Sequence, residues 1–212
     1  TSALMPGTVC VASSLKDVVS EISAMWILRG GRGYQMMSGS SSELARQIVN
    51  GLPANIFISA DPQWLSMMTT HDSCHWLSNT LVAVAPVDQG EVDLRALSSL
   101  ALAGEKVPVG LYARQALLSL GIPIPKKVIE GSSARDVLSK VSTGGAQAGV
   151  VYATDAVIDP RVKIIFKFPE GSHDKIFYAI GLLDPDARDF YEVLKEPWAK
   201  EIALRHGFLL VP

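Results

Sequence analysis

Ser40-Ser41-Ser42-Glu43 follows the apolar run Tyr34 to Met37 and opens a helical pattern carried by Leu44, Ala45 and Ile48. A helix leaves its first amides without intrahelical partners, and its dipole makes that end positive, so such a corner suits an anion. Ser40 with Glu43 three residues on also fits a plain N-terminal cap, and the spacing alone leaves both readings open. The same kind of corner recurs at Ser13-Ser14, Pro108-Val109 and Ser133-Ala134, each between a strand-like run and a helical one. In open α/β sheets, ligands bind where the carboxyl ends of strands meet helix N-termini. Four such corners brought together would offer amides and hydroxyls, but no acceptor and no fixed cation. That donor set suits a small, fully deprotonated oxyanion.

Other chemistry is less well supported. His71, Cys74 and His75 are types that ligate zinc, and His71 and His75, four apart, would share a helix face; no second ligand cluster follows, so they read as surface polar residues. Cys10 lies in an apolar run and reads as a buried thiol; whether it pairs with Cys74 is open. There is no Gly-x-Ser-x-Gly elbow, no phosphate-binding P-loop and no dinucleotide glycine fingerprint. The four histidines all lie outside the recurring corners, which argues against an enzyme. Asp61 and Asp155 are placed to cap helices, since a carboxylate would repel an anion.

The elements that must position these corners alternate. Thr8 to Ala12, Tyr34 to Met37, Asn55 to Ser59, Leu81 to Ala85, Leu100 to Ala103, Lys127 to Ile129, Gly149 to Tyr152, Val162 to Phe166 and Ile176 to Leu183 read as strands. Helices are expected from Leu15 to Trp26, after Ser40, from Gly110 to Leu120, after Ser133, from Pro185 to Lys195 and from Trp198 to His206, with a helical turn at Leu94 to Leu97. This alternation predicts an α/β architecture with mostly parallel sheets flanked by helices. The net charge of −2 over 212 residues gives no nucleic-acid footprint, and no apolar run approaches a membrane span. No signal peptide is visible within the sequence, and a start at Thr1 fits the expectation of a processed form.

Several stretches, in order and across nearly the whole chain, resemble one family. They are Val11-Ala12-Ser13-Ser14-Leu15, the Ser40 to Ile48 corner, Ile56-Phe57-Ile58-Ser59-Ala60-Asp61, Leu81 to Pro86, Val107-Pro108-Val109-Gly110-Leu111-Tyr112-Ala113, and Gly149-Val150-Val151-Tyr152-Ala153-Thr154-Asp155-Ala156-Val157. Phe168-Pro169-Glu170-Gly171-Ser172-His173 and Arg205-His206-Gly207-Phe208 also fit. Together they resemble the molybdate-binding proteins, the substrate-binding components of molybdate ABC transporters.

The resemblance implies a two-domain periplasmic-binding-protein fold of type II, with residues 1–81 plus 178–212 in one domain, 82–177 in the other, and the ligand cleft between them. It implies that Ser14 and Ser41 bind the oxyanion by hydroxyl and amide, Val109 and Ala134 by amide, and Tyr152 by its phenol. The expected function is capture of molybdate, or tungstate, and delivery to an ABC permease. The expected protein is a periplasmic monomer in its mature form, with no cofactor, no metal cation and no nucleic-acid partner. The alternatives are another tetrahedral oxyanion such as sulfate, or an enzyme on the same fold. Val109 where the family usually has Ala, the turn Ala103-Gly104-Glu105-Lys106, and the Gly- and Arg-rich segment from Trp26 to Gly33 depart from the family pattern.

Overall fold

A computed structural model places residues 7–211; residues 1–6 and 212, which the expected first domain includes, lie outside the described residues. The chain first forms strand β1 (Gly7–Ala12), helix α1 (Lys16–Leu28), β2 (Tyr34–Gly39), α2 (Ser41–Val49), β3 (Ile56–Ser59) and β4 (Asp72–Ser78). It continues through β5 (Leu81–Pro86), β6 (Leu100–Ala103), α3 (Pro108–Ser119), β7 (Val128–Gly131), α4 (Ala134–Ser142), β8 (Ala148–Tyr152), α5 (Ala153–Ala156) and β9 (Val162–Lys167). It ends with β10 (Tyr178–Leu182), α6 (Arg188–Leu194), α7 (Pro197–Arg205) and β11 (Leu209–Leu210). The contacts divide it into two compact units, Thr1–Ser78 with Phe177–Pro212, and Asn79–Ile176.

The first unit holds a sheet of order β11-β4-β10-β3-β1-β2, the second a sheet of order β7-β6-β8-β5-β9. Val9, Cys10, Val11, Ile56, Phe57 and Ile58 are all fully buried, so β1 and β3 are covered on both faces. That is why they read as unbroken apolar runs rather than alternating ones. The architecture is α/β as expected, but both sheets are mixed. β1 runs parallel to β2 and β3, and β6 to β7 and β8. β10 is antiparallel to β3 and β4, and β5 to β8 and β9. These two are the first strands after each unit boundary. A strand arriving from another unit has no helical crossover from its neighbour to complete, so nothing forces it parallel.

The polar segment around Cys74 is the strand β4, not a helix, so His71 and His75 share no helix face. Successive strand residues face opposite sides of the sheet, which separates Cys74 from His75. His75 stacks on Phe177 with ring centroids 4.5 Å apart, and the buried Trp76 indole donates to the Leu194 carbonyl at 2.7 Å, tying β4 to α6. Both cysteines are free thiols; burial pushes the Cys10 thiol up to about 11, which makes it a structural side chain. Among the described residues, no group of three or more His, Cys, Asp or Glu is placed to hold a metal ion. Among them also, no helix is long and apolar enough to cross a membrane.

At Leu94 and Arg95 the chain makes a single turn: the Arg95 and Ala96 amides donate to the Asp93 side chain and carbonyl at 2.9 and 3.1 Å. The Gly- and Arg-rich segment has a packing role. A Cβ on Gly31 would sit 2.0 Å from the Trp26 ring, so only glycine lets the chain lie against that indole. Arg29 covers the Trp198 ring at 4.2 Å, and Arg32 pairs with Asp186 at 2.9 Å. The segment thereby fastens the end of α1 to α7 and to the returning chain.

Candidate functional site

In the first unit, β1 and β2 end together, because Ala12 pairs with Gly39 in the parallel register. The two serine corners therefore leave the same edge of the sheet. Ser14 is buried in a 3-10 turn, Ser13–Leu15, and α1 begins at Lys16, later than the sequence pattern suggests. Ser41 is the first residue of α2 and is 1% exposed. Ser40 is the cap: its hydroxyl accepts the Glu43 amide at 3.3 Å. The Glu43 carboxylate turns away, toward Arg46 and Gln47.

The Ser41 hydroxyl oxygen accepts the Ala60 amide at 2.8 Å in a buried setting. A serine hydroxyl carries one proton and two lone pairs. The chain leaving β3 fills one lone pair, which leaves the proton and a second lone pair, and accepting one bond strengthens any bond the hydroxyl donates. Ala60 was not legible as part of this corner, since its contribution is an amide that any residue would carry. Ser59 donates to the Asp61 carbonyl at 2.6 Å, and Asp61 accepts the Gln63 amide at 2.9 Å, so Asp61 is a helix cap as expected.

In the second unit, β6, β7 and β8 are parallel and their carboxyl ends carry α3, α4 and α5. Val109 is buried and is the second residue of α3. Pro108 before it has no N–H, so the Val109 amide is the first donor of that helix. The first intrahelical bond runs from Leu111 to the Val107 carbonyl at 3.0 Å. The turn before it is closed by the Val107 amide on the Gly104 carbonyl at 3.0 Å, and the Gly104 amide reaches Gly131 at 3.2 Å. A Cβ on Gly110 would lie 2.1 Å from the Gly104 carbonyl, so glycine is what lets α3 sit down on the end of β6.

Ala134 opens α4 and is buried. Ser133 caps it by accepting the Asp136 amide at 3.1 Å, while Asp136 accepts the Ser132 amide at 2.8 Å. Burial raises the Asp136 carboxyl, but the Ser132 amide and Lys140 outweigh it and hold it below the usual range. Tyr152 ends β8 at 1% exposure and stands at the cap position of α5, paired across the sheet with Leu81. Asp155, fully buried, accepts the Tyr152 amide at 3.3 Å and the Arg135 Nε at 2.8 Å. Asn79 and Thr80 hold the same end: Asn79 donates to Thr154 at 2.8 Å, and the Ala153 amide donates to the Thr80 carbonyl at 2.8 Å.

Each unit thus gathers its own candidates at the carboxyl ends of parallel strands, Ser14 with Ser41, and Val109 with Ala134 and Tyr152. The nearby cations are engaged. Arg46 pairs with Glu43, Arg114 donates to the Ala103 and Gly110 carbonyls at 2.7 and 3.0 Å, and Arg135 pairs with Asp155. What both corners offer is neutral donors.

The model of the bacterial extracellular solute-binding protein family matches residues 8–209. The chain belongs to that family. It is a solute-binding protein and not an enzyme. It is 34% identical to the molybdate-binding protein ModA of Escherichia coli, over 96% of this chain and 88% of that one. It is 30% identical to the putative ABC transporter substrate-binding lipoprotein YvgL of Bacillus subtilis, over 95% of this chain and 85% of that one. Among solved structures, the periplasmic molybdate-binding protein of Azotobacter vinelandii superposes with a TM-score of 0.84, covering 97% of this chain and all of that one. At 22% identity that last likeness is one of fold.

Proposed function

We propose that this solute-binding protein captures molybdate, and tungstate as well, as a fully deprotonated tetrahedral oxyanion and delivers it to the permease of an ABC transporter. Ser14, Ser41, Val109, Ala134 and Tyr152 are the proposed donors to the oxyanion, and the two units the proposed domains of the binding protein. It works as a periplasmic monomer, without cofactor, resident metal or nucleic acid.

The observation that carries this reading is the Ser41 hydroxyl, buried, with one of its two lone pairs taken by the Ala60 amide. Such a group has a proton to give and little reason to be buried unless something accepts it. The first-turn amides at Val109 and Ala134 are donors of the same kind. A fully deprotonated dianion uses donors alone. Phosphate near neutral pH carries a proton that needs an acceptor, and leaving that need unmet costs ~1–3 kcal/mol.

The test is thermal unfolding with a panel of oxyanions, followed by titration calorimetry. Molybdate or tungstate at 100 times Kd should stabilise by about 2.7 kcal/mol. Sulfate, being smaller, should stabilise far less because it cannot reach all donors together, and phosphate not at all. Stabilisation by sulfate equal to that by molybdate would replace this reading with a sulfate-binding one.

A further inference from the structure

Ser59 ends β3 fully buried, and its hydroxyl is used twice on one residue. Its oxygen accepts the Asp61 amide at 3.1 Å, and its proton goes to the Asp61 carbonyl at 2.6 Å. A serine hydroxyl has one proton to give, so that bond commits it. A serine that bonds the main chain two residues on makes a local turn of its own. The residue this turn spans is Ala60, whose amide nitrogen lies within the ring that the Ser59 oxygen and the Asp61 amide close. That same amide donates to the Ser41 hydroxyl at 2.8 Å.

The turn is held from both sides. Asp61 is extended, with φ −148° and ψ 124°, as a residue before proline prefers, and Pro62 follows it. Its side chain accepts the Gln63 amide at 2.9 Å and caps the 3-10 turn Pro62–Met67. On the other side, Ser59 is paired with Ala179 of β10. Ala60, buried between these two fixed residues, has little freedom to swing its amide away from Ser41. The bond from Ala60 matters to Ser41 in two ways. It fixes the hydroxyl oxygen, which narrows the directions open to its proton, and it polarises the O–H. A donor ordered before binding costs less to engage than one the ligand must order.

We propose that Ser59 is a positioning residue for oxyanion capture: its hydroxyl closes the turn to Asp61, the turn holds the Ala60 amide on Ser41, and the Ser41 hydroxyl is thereby set before the anion arrives. This rests on the reading of Ser41 as a donor to the oxyanion. Ser59 acts through Ala60 and Ser41, not on the ligand.

The experiment is a double-mutant cycle on four proteins: the native chain, Ser59→Ala, Ser41→Ala, and the two substitutions together. Titration calorimetry gives the molybdate Kd and thermal unfolding the Tm. With Ser41 in place, Ser59→Ala should weaken molybdate binding about three- to tenfold, the effect of ordering one side chain at the moment of binding. In the Ser41→Ala background it should change the Kd by less than about twofold, because the hydroxyl it positions is gone. Tm should fall in both backgrounds, since the Asp61 amide and carbonyl lose their partner in either. The Kd cycle is therefore the readout that separates positioning from support of the fold.

A Ser59 that serves the fold alone would lower Tm and leave the Kd within about twofold of native, or would weaken it by the same factor with and without the Ser41 hydroxyl; either result overturns the proposal. Should Ser59→Ala not fold, Ser59→Cys enters the same cycle. A thiol is near in shape but a weak donor and acceptor, and the same two results decide. Failure of the native chain to bind molybdate, or an unchanged Kd in Ser41→Ala, would instead sink the reading of the site, and this inference with it.

Discussion

In the first unit the candidate donors include hydroxyl side chains, those of Ser14 and Ser41 at the ends of β1 and β2, beside the amides of the same residues. In the second, two of the three are main-chain amides, at Val109 and Ala134, and only Tyr152 contributes a side chain. The supports differ in the same way. Ser41 is aimed by an amide from the exit of β3, Ala60. The second unit's amides are aimed by helix geometry: Pro108 at the start of α3, Gly110 pressed onto the Gly104 carbonyl, and Ser133 capping α4. A side-chain donor can be deleted by changing one residue type. A main-chain donor survives nearly every substitution except proline.

The largest effect is expected at Ser41. Ser41→Ala removes a hydroxyl donor that its bond from Ala60 strengthens, and a hydrogen bond to a charged partner is worth ~1.5–3 kcal/mol, so molybdate affinity should fall by roughly ten- to a hundredfold. The same change strands the buried Ala60 amide, at a cost of ~1–3 kcal/mol, which should lower Tm by a few degrees. Calorimetry and thermal unfolding read the two separately. A lowered Tm with an unchanged Kd would make Ser41 a brace for Ala60 only, and the first half of the comparison would collapse.

Ala134→Pro is the matching test in the second unit. Ser133 before it is extended, with φ −160° and ψ 171°, as a residue preceding proline prefers. The first helical position is also the one where proline fits best. The helix should therefore start as before and Tm should hold, while the lost amide weakens molybdate binding about tenfold or more. Ala134→Ser should leave the Kd within about twofold, since its amide is unchanged. An unchanged Kd in the proline variant would remove Ala134 from the donor set.

Tyr152→Phe sits between these cases. The ring is fully buried at the end of β8 and its packing survives the substitution. Loss of the phenol should cost about tenfold in affinity with little change in Tm. An unaltered Kd would leave Tyr152 as a strand residue whose hydroxyl serves the fold.

The same contrast sets how far the chain could be read without coordinates. Ser14 and Ser41 announce themselves, because a hydroxyl at a strand-to-helix corner is a residue type with a chemical meaning. Val109 and Ala134 do not; their strand-to-helix corners stand out, but nothing in valine or alanine signals a donor, and only the resemblance to the molybdate-binding proteins names these two residues as ligands. Ala60 was invisible for the same reason. Asp155 was legible as a cap, but not its pairing with Arg135, which joins residues twenty positions apart across two helix starts. Among the elements, the long apolar strands were plain. β4 was missed because its outer residues are polar and partly exposed, so Asp72, Ser73 and His75 masked the strand period. β11 was missed because two residues carry no period at all.

The smallest effect is expected at Val109, and it is the sharpest test of the division. The valine side chain is buried, so Val109→Ala removes two buried methyl groups and should cost ~1–2 kcal/mol of stability. The amide stays where Pro108 and Gly110 put it, so the molybdate Kd should remain within about twofold of native. Ser41→Ala, by contrast, removes a single oxygen and should shift the Kd far more. Salt should not separate Val109→Ala from native either. Screening weakens exposed charges above all, and the arginines near these corners are engaged by Glu43, by main-chain carbonyls and by Asp155. A tenfold change in Kd at Val109 would mean that the valine methyl groups themselves line the space the anion fills. Selection in the second unit would then depend on side-chain volume, and the two halves of the donor set would no longer differ in kind.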